Sequence, residues 1–172
     1  MIGKGKLIRN KGFFKFNIGK EDKILDVATL CKACQDLSKS KTGALIVITH
    51  TDDLAFFSES GVQIDARMTI PLFKSIFYKN SPLHDGAVII RDNKVVAARC
   101  VLPVTNNTNF PTHLGMRHRA AAGISEDSDA IVIIVSEQNG EISFAKEGKL
   151  QSQCSKERLE DLLNFEAKNI NA

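Results

Sequence analysis

Long apolar runs, export signals and the common nucleotide-binding loops are all missing from this 172-residue sequence. No apolar stretch approaches the roughly 20 residues needed to cross a bilayer, and no signal-peptide core follows the N-terminus. The sequence contains no Walker A loop, no Gly-x-Gly-x-x-Gly and no Gly-x-Ser-x-Gly. These absences exclude a membrane span within the sequence, a P-loop or Rossmann nucleotide site, and a hydrolase nucleophile elbow.

Cysteine is scarce, with four residues in the chain. Cys31 and Cys34 have the spacing of zinc and redox sites, but no second Cys or His pair follows at a finger-like distance. Cys34 also falls on a helical stripe with Leu30 and Leu37, where a free thiol behaves as a small hydrophobe. We therefore expect buried thiols rather than a metal or redox site. Free thiols suit a reducing cytoplasm.

Acidic residues are absent from the first twenty positions, which carry six lysines and arginines. The net charge of +3 for the whole chain, less this +6, leaves −3 for residues 21–172. We predict a basic, flexible lead-in over residues 1–20. Such a segment suits contact with anionic lipid or nucleic acid, and a solvated tail is an equal alternative. The mildly acidic remainder argues against a nucleic-acid-binding protein.

The hydrophobic pattern predicts helices that alternate with strand-rich segments. The tight-turn pairs Asp92-Asn93 and Asn139-Gly140 indicate antiparallel hairpins, whereas residues 50–68 indicate an irregular connection or a short hairpin. The predicted fold class is α/β of an α+β-like kind, with a mixed, partly antiparallel central sheet surrounded by helices. Predicted helices cover residues 22–39, 69–78, 114–125 and 155–163, and predicted strands cover residues 44–49, 87–90, 95–102, 130–135 and 141–145.

Three polar clusters interrupt these apolar elements. His84, Asp85, Gly86 and Ala87 precede a buried strand, where a carboxylate can act as a base or hold a cation; a structural Asp-Gly turn is the alternative. The other two clusters are Gly115 to Arg119 and the pair Ser136-Glu137. Ligands of open sheets bind beyond the strand ends, so we expect the three clusters to lie close together.

The cluster from Gly115 to Arg119 begins a predicted helix. Arg117 and Arg119 flank His118, and guanidinium groups form bidentate, charge-assisted bonds with phosphate. A helix N-terminus adds N–H donors for an anion, while a solvated basic turn is the alternative reading. Ser136 and Glu137 are a third candidate part of the site, and a plain hairpin connection is the alternative. His50 and His113 have no partner at metal-ligand spacing, so we interpret them as surface residues. The residues alone therefore indicate an anion-binding domain and leave its reaction open.

Asp85-Gly86-Ala87, followed by Arg117-His118-Arg119, resembles the paired signature of the diadenylate cyclase domain family. The likeness is greatest to the cytoplasmic catalytic domain of that family's membrane-anchored branch. It extends over residues 22–150 and includes residues 43–48, 80–90, 117–121, 123–126 and 135–137, in the family's order. The expected organisation is a lead-in over 1–20, a catalytic domain over 21–150, and a C-terminal helix and tail over 151–172.

The resemblance implies a homodimer in which two protomers, each with one bound ATP, meet face to face and form cyclic di-AMP with release of pyrophosphate. Asp85 would activate a 3′-hydroxyl with the help of Mn²⁺, Mg²⁺ or Co²⁺, and His84 would be a second metal contact. Arg117 and Arg119 would hold phosphates, and His118 would shape their loop. The nucleotide would also lie against Gly86, Ala87, Leu102, Gly115, Met116, Ser136 and Glu137.

Two residues depart from the family pattern. Met116 replaces a small hydroxyl residue and Val101 an aromatic residue near the adenine, so both changes bear on nucleotide affinity. Many members of the anchored branch carry transmembrane helices ahead of this domain. We therefore expect a cytoplasmic domain of a longer, membrane-anchored protein. A catalytically silent nucleotide sensor of the same fold is the alternative, but it would not need Asp85.

Overall fold

The computed structural model describes residues 23–172, so the lead-in predicted for residues 1–20 lies outside the described residues. None of the described helices is both long and apolar enough to span a membrane. The elements, in chain order, are α1 (Val27–Lys39), β1 (Ala44–Ile48), α2 (Ala55–Glu59), β2 (Val62–Arg67), α3 (Ile70–Phe77), β3 (Ala87–Arg91), β4 (Lys94–Cys100), α4 (Met116–Glu126), β5 (Ile131–Val135), β6 (Ile142–Lys146), β7 (Lys149–Gln151) and α5 (Lys156–Ile170).

The seven described strands form one mixed sheet in the order β2-β4-β3-β1-β5-β6-β7. Strands β1 and β3 are parallel, and the other neighbouring strands are antiparallel. The two predicted hairpins are confirmed as β3–β4 and β5–β6. Asp92 and Asn93 take the left-handed conformation that a tight hairpin turn requires. The expected mixed sheet, partly antiparallel and surrounded by helices, is therefore confirmed.

Each face of the sheet is covered by its own layer of helices. Ile46, Ile48 and Val88 belong to one core with α1, α3 and α5, whereas Leu45 and Val47 belong to a second core with α2 and α4. Successive strand residues point to opposite faces, so a strand buried on both sides must be apolar throughout. This explains why β1 and β5 appear in the sequence as unbroken apolar runs.

Residues 50–68 form a short helix and an edge strand, so the prediction of an irregular connection or short hairpin is wrong. Strand β2 pairs with β4, whose residues lie some 30 positions along the chain, and most of its side chains are exposed. The residues of β2, VQIDAR, alternate between apolar and polar, so the period-2 pattern of a strand was present in the sequence and was not recognised. The predicted C-terminal helix is longer than expected, since α5 continues to Ile170.

The first helix starts at Val27 because Asp26 caps it, its carboxylate accepting a hydrogen bond from the Thr29 N–H at 3.0 Å. Cys31 and Cys34 are buried free thiols on this helix, as predicted. Burial raises the pKa of Cys31 to about 11 and that of Cys34 to about 12. Both side chains therefore remain protonated at neutral pH and act as part of the core.

An ion pair ties α5 to the sheet. The Lys146 ammonium lies 2.7 Å and 2.8 Å from the two carboxylate oxygens of Glu166, which is buried. Replacing Lys146 with Met should lower the free energy of unfolding by about 3 kcal/mol, because it leaves a buried carboxylate unpaired. Urea denaturation measures this loss. The double variant Lys146→Met/Glu166→Leu should recover most of it, and a single variant as stable as the wild type would contradict the assignment.

Candidate functional site

The ends of four neighbouring strands meet at one edge of the sheet. Strands β1 and β3 run parallel, so the residues that precede them, Gly43 and Gly86, lie side by side. Strands β4 and β5 run antiparallel to these two, which brings the residues after them, Val101 and Ser136, to the same edge. The topology therefore gathers polar sequence from four separate segments in one place.

A cleft of about 1330 Å³ opens along this edge and is also bounded by the start of α4. All three polar clusters recognised in the sequence contribute to its walls. The predicted site residues that line it are His84, Asp85, Gly86, Leu102, Gly115, Met116, Arg117, His118, Ser136 and Glu137. The convergence expected from the sequence is therefore present in the structure.

Asp85 lines the cleft two residues before β3 begins and is exposed. Its neighbour Gly86 has a φ of +131°, and a methyl group added there would lie 2.8 Å from the Arg99 backbone. Only glycine fits both requirements, so the backbone beside the carboxylate is held in one conformation. On the other side, His84 Nδ1 lies 2.7 Å from the carbonyl oxygen of Ser81. Asp85 thus projects from a well-supported turn.

Arg117 is held from several sides in the first turn of α4. Its guanidinium packs on Gly43, where an added methyl group would lie only 2.5 Å from Nη1. The same Nη1 lies 3.4 Å from the Glu137 carboxylate, across the cleft floor. Its Nε is buried and finds no hydrogen-bond partner among the described residues. A buried donor of this kind is costly unless a ligand satisfies it.

The N-terminus of α4 opens into the cleft. Gly115 is its N-cap residue, in extended conformation, and no side chain of the described residues caps the helix there. The first backbone bond of the helix runs from the Arg119 N–H to the Gly115 carbonyl oxygen at 3.2 Å. The N–H groups of the preceding turn remain available, and together with the helix dipole they favour an anion.

His118 faces the sheet and is buried. Burial lowers its pKa, an effect that Glu141 opposes and that His113 and Arg117 reinforce. The imidazole is therefore neutral at pH 7. It contributes to the cleft wall without adding a second positive charge beside Arg117.

Two predicted site residues do not line the cleft. Ala87 is fully buried in the core beneath it. The Arg119 guanidinium lies 5.2 Å from the centre of the Phe110 ring, a cation–π contact with the loop that precedes α4. The Arg119 carbonyl oxygen also accepts a hydrogen bond from the Thr105 N–H at 3.1 Å. In this structure Arg119 therefore contacts the loop over residues 103–111 and does not line the cleft.

Several cleft residues were not recognised in the sequence. Gly43 makes room for Arg117, Arg99 projects from the end of β4, and His113, which the sequence placed on the surface, lines the mouth. Four exposed apolar side chains also line the cleft and are called here the exposed apolar patch; two of them are highly exposed, Val101 at 71% and Met116 at 67%. The patch comprises Val62, Val101, Val104 and Met116. The family resemblance implies that Val101 stands near the adenine and Met116 against the nucleotide, whereas Val62 and Val104 were not recognised.

The donor set at the mouth fits a cation that is shared with a ligand. No group of three or more His, Cys, Asp or Glu side chains within residues 23–172 is arranged to hold a metal ion. When His84 Nδ1 donates to the Ser81 carbonyl oxygen, Nε2 keeps a free lone pair, and both His84 and Asp85 line the cleft. Divalent cations such as Mg²⁺ use one or two carboxylates and complete their shell with substrate phosphates. Asp85 and His84 fit that arrangement and not an all-protein metal site.

Comparison with known proteins places this cleft in a family. The family model described as "DisA bacterial checkpoint controller nucleotide-binding" (DAC) matches residues 31–150. The chain is 48% identical over 118 residues to diadenylate cyclase CdaS of Bacillus thuringiensis, covering 69% of this chain and 59% of that protein. It is 39% identical over 142 residues to cyclic di-AMP synthase CdaA of Bacillus subtilis, covering 83% and 52%. The chain thus spans little more than half the length of these relatives.

Solved structures give the same result for the fold. DacA from Staphylococcus aureus, in a crystal structure of a double mutant, superposes with a TM-score of 0.80 at 41% identity, covering 84% of this chain and 95% of that one. A hypothetical membrane-spanning protein from Bacillus cereus superposes with a TM-score of 0.71 at 44% identity, covering 73% and 62%. The likeness in fold therefore extends over most of the chain.

Proposed function

This chain belongs to the DisA bacterial checkpoint controller nucleotide-binding family, and on that premise we propose that it is a diadenylate cyclase, which joins two ATP molecules into cyclic di-AMP and releases two pyrophosphates. The observation that carries the proposal is the pairing, in one cleft, of an exposed carboxylate with a half-buried arginine at an open helix N-terminus. The names of the relatives support it, since they are called diadenylate cyclases or cyclic di-AMP synthases. Asp85, which a silent sensor would not need, favours the enzyme.

The triphosphate binds at the α4 end of the cleft. Arg117 donates to its oxygens, and the buried Nε then gains the acceptor that the protein does not provide. The free N–H groups after Gly115 add further donors, and Ser136 lies on the opposite wall. The adenine packs against Val101 of the exposed apolar patch, which gives dispersion contacts but no aromatic stacking, whereas Met116 lies at the phosphate end and offers no hydroxyl.

The reaction is a double nucleotidyl transfer. The 3′-oxygen of one nucleotide attacks the α-phosphorus of the other and forms a new phosphodiester bond, while the bond to the β-phosphate breaks and pyrophosphate leaves with its electron pair. Asp85 accepts the hydroxyl proton, and Arg117 stabilises negative charge on the phosphates. A Mn²⁺, Mg²⁺ or Co²⁺ ion held by Asp85, His84 and the phosphates would lower the pKa of the hydroxyl and neutralise charge.

The active form is a homodimer. One cleft positions one ATP, so the second nucleotide must be brought by another copy whose cleft faces the first. Asp85 supports this arrangement because it is exposed at the mouth, where a facing cleft would present its phosphate. A two-fold axis then makes both transfers equivalent.

We also propose that the domain works at the cytoplasmic face of a membrane, with residues 1–20 as a basic juxtamembrane segment and no role for nucleic acid.

Dilution and chelation test the dimer and the metal. We expect the amount of cyclic di-AMP formed per protomer to rise with protein concentration and to level off once the dimer is populated. EDTA should abolish the activity, and Mn²⁺ or Mg²⁺ should restore it. Activity per protomer that stays constant down to concentrations at which sedimentation shows only monomer would contradict the face-to-face mechanism, and full activity in EDTA would contradict the metal.

A further inference from the structure

A bulge at the end of β4 aims one further arginine into the cleft. Ala87 pairs with Cys100 and Ile89 with Ala97, so two steps along β3 correspond to three along β4. The extra residue lies in this stretch, and Arg99 there has a φ of +56°. The left-handed position of such bulges is usually filled by glycine, and bulges next to active sites redirect side chains.

The position of Arg99 is fixed relative to Asp85. Gly86, which follows Asp85 directly, packs so closely on the Arg99 backbone that an added methyl group would lie 2.8 Å from its Cα. Arg99 is exposed and lines the cleft. Across residues 23–172, its side chain forms neither an ion pair nor a hydrogen bond, whereas Arg117 pairs with Glu137 and Arg119 stacks on Phe110. The bulge thus holds Arg99 in an unfavourable backbone conformation, with its backbone against the residue that follows Asp85 and its side chain in the cleft.

The strand order separates this cation from Arg117. Strand β3 lies between β4 and β1, so Arg99 and the Arg117 guanidinium resting on Gly43 are on opposite sides of Asp85. Neighbouring strands are about 4.8 Å apart, which puts the two strands roughly 10 Å from each other. Arg99 and Arg117 therefore approach Asp85 from opposite sides, with the proposed general base between them.

We propose that Arg99 contacts the α-phosphate of the nucleotide carried by the partner protomer, an inference that rests on the diadenylate cyclase function proposed above. The hydroxyl activated by Asp85 must come within about 3–3.5 Å of the phosphorus that it attacks, so that phosphate must lie beside Asp85. A carboxylate and a phosphate in contact repel each other. Arg99 neutralises the phosphate as the 3′-oxygen bond forms and the bond to pyrophosphate breaks, while Arg117 holds the nucleotide of its own protomer.

The test replaces Arg99 in ways that keep the backbone. Arg99→Gly and Arg99→Asn both suit a left-handed residue, so neither variant should melt below the wild type. We expect each to form cyclic di-AMP about 100-fold more slowly at saturating ATP, the effect of losing one donor to a transition-state oxyanion. Affinity for 3′-deoxy-ATP, which can bind but cannot attack, should change less than threefold. Lys41→Gly is the matched control, because it also removes a cation at a φ of +49° but does not line the cleft.

The outcomes separate this inference from the function on which it rests. Wild-type turnover in both Arg99 variants overturns it and leaves the cyclase function intact. A large loss of 3′-deoxy-ATP affinity with little loss of saturated turnover also overturns it, because Arg99 would then hold the nucleotide of its own protomer. A wild-type protein that forms no cyclic di-AMP refutes the proposed function and this inference together.

Discussion

Replacing Asp85 with Asn should slow cyclic di-AMP formation about 10³-fold, the usual size of a general-base contribution. The amide has nearly the shape of the carboxylate but cannot accept the hydroxyl proton or neutralise a cation. Asp85 is exposed at the cleft mouth, so the substitution leaves the core packing unchanged. Affinity for 3′-deoxy-ATP, measured by calorimetry without a divalent metal, should therefore remain within a few-fold of the wild type.

A second exposed aspartate provides the control for this variant. Asp65 lies on the edge strand β2 outside the cleft and pairs with Lys94 at 3.6 Å. Asp65→Asn removes the same charge and should leave turnover unchanged. If Asp85→Asn lost nucleotide binding and turnover together, Asp85 would be needed to build the cleft and could not be assigned as the base.

Replacing Arg117 with Ala should weaken both binding and turnover. Hydrogen bonds to charged groups contribute about 1.5–3 kcal/mol each, so the loss of a bidentate phosphate contact corresponds to a drop in ATP affinity of at least about 100-fold. The side chain also fills space between Gly43 and Glu137, and its loss would leave both walls of the cleft less supported. Calorimetric titration with 3′-deoxy-ATP measures the affinity directly.

Gly43→Ala is a companion variant that leaves Arg117 in the chain. Its methyl group would displace the guanidinium, so it should reproduce part of the affinity loss without removing a charge. Arg67→Ala, on the exposed end of β2, removes an arginine elsewhere and should have no effect. Unchanged ATP affinity in Arg117→Ala would show that the phosphates lie somewhere other than the N-terminus of α4.

The sheet and most of the cleft could be predicted because their signals are local. Buried strands such as β1 and β5 appear as unbroken apolar runs, and Asn139-Gly140 marks its hairpin within two residues. Asp85 and Arg117 could be singled out because each adds charge at the boundary of an apolar element. The resemblance to diadenylate cyclases links the two clusters from the sequence itself.

The remainder depends on contacts between distant segments. The role of Gly43 becomes visible only when Arg117, more than seventy residues later, folds onto it. Arg119 flanks His118 just as Arg117 does, so the sequence alone does not distinguish the two arginines. Residues two positions apart on a helix point to different sides, and the Arg119 guanidinium therefore contacts Phe110. The bulge that exposes Arg99 follows from the register between β3 and β4, which one strand's sequence does not encode.

The most direct test of the account is to incubate the protein with ATP and Mn²⁺ or Mg²⁺ and to identify the products by chromatography and mass spectrometry. The account predicts cyclic di-AMP and pyrophosphate in a ratio of one to two, with both formed about 10³-fold more slowly in the Asp85→Asn reaction. A wild-type protein that binds ATP but forms no cyclic di-AMP at any protein concentration or with either metal would contradict it and favour a nucleotide sensor.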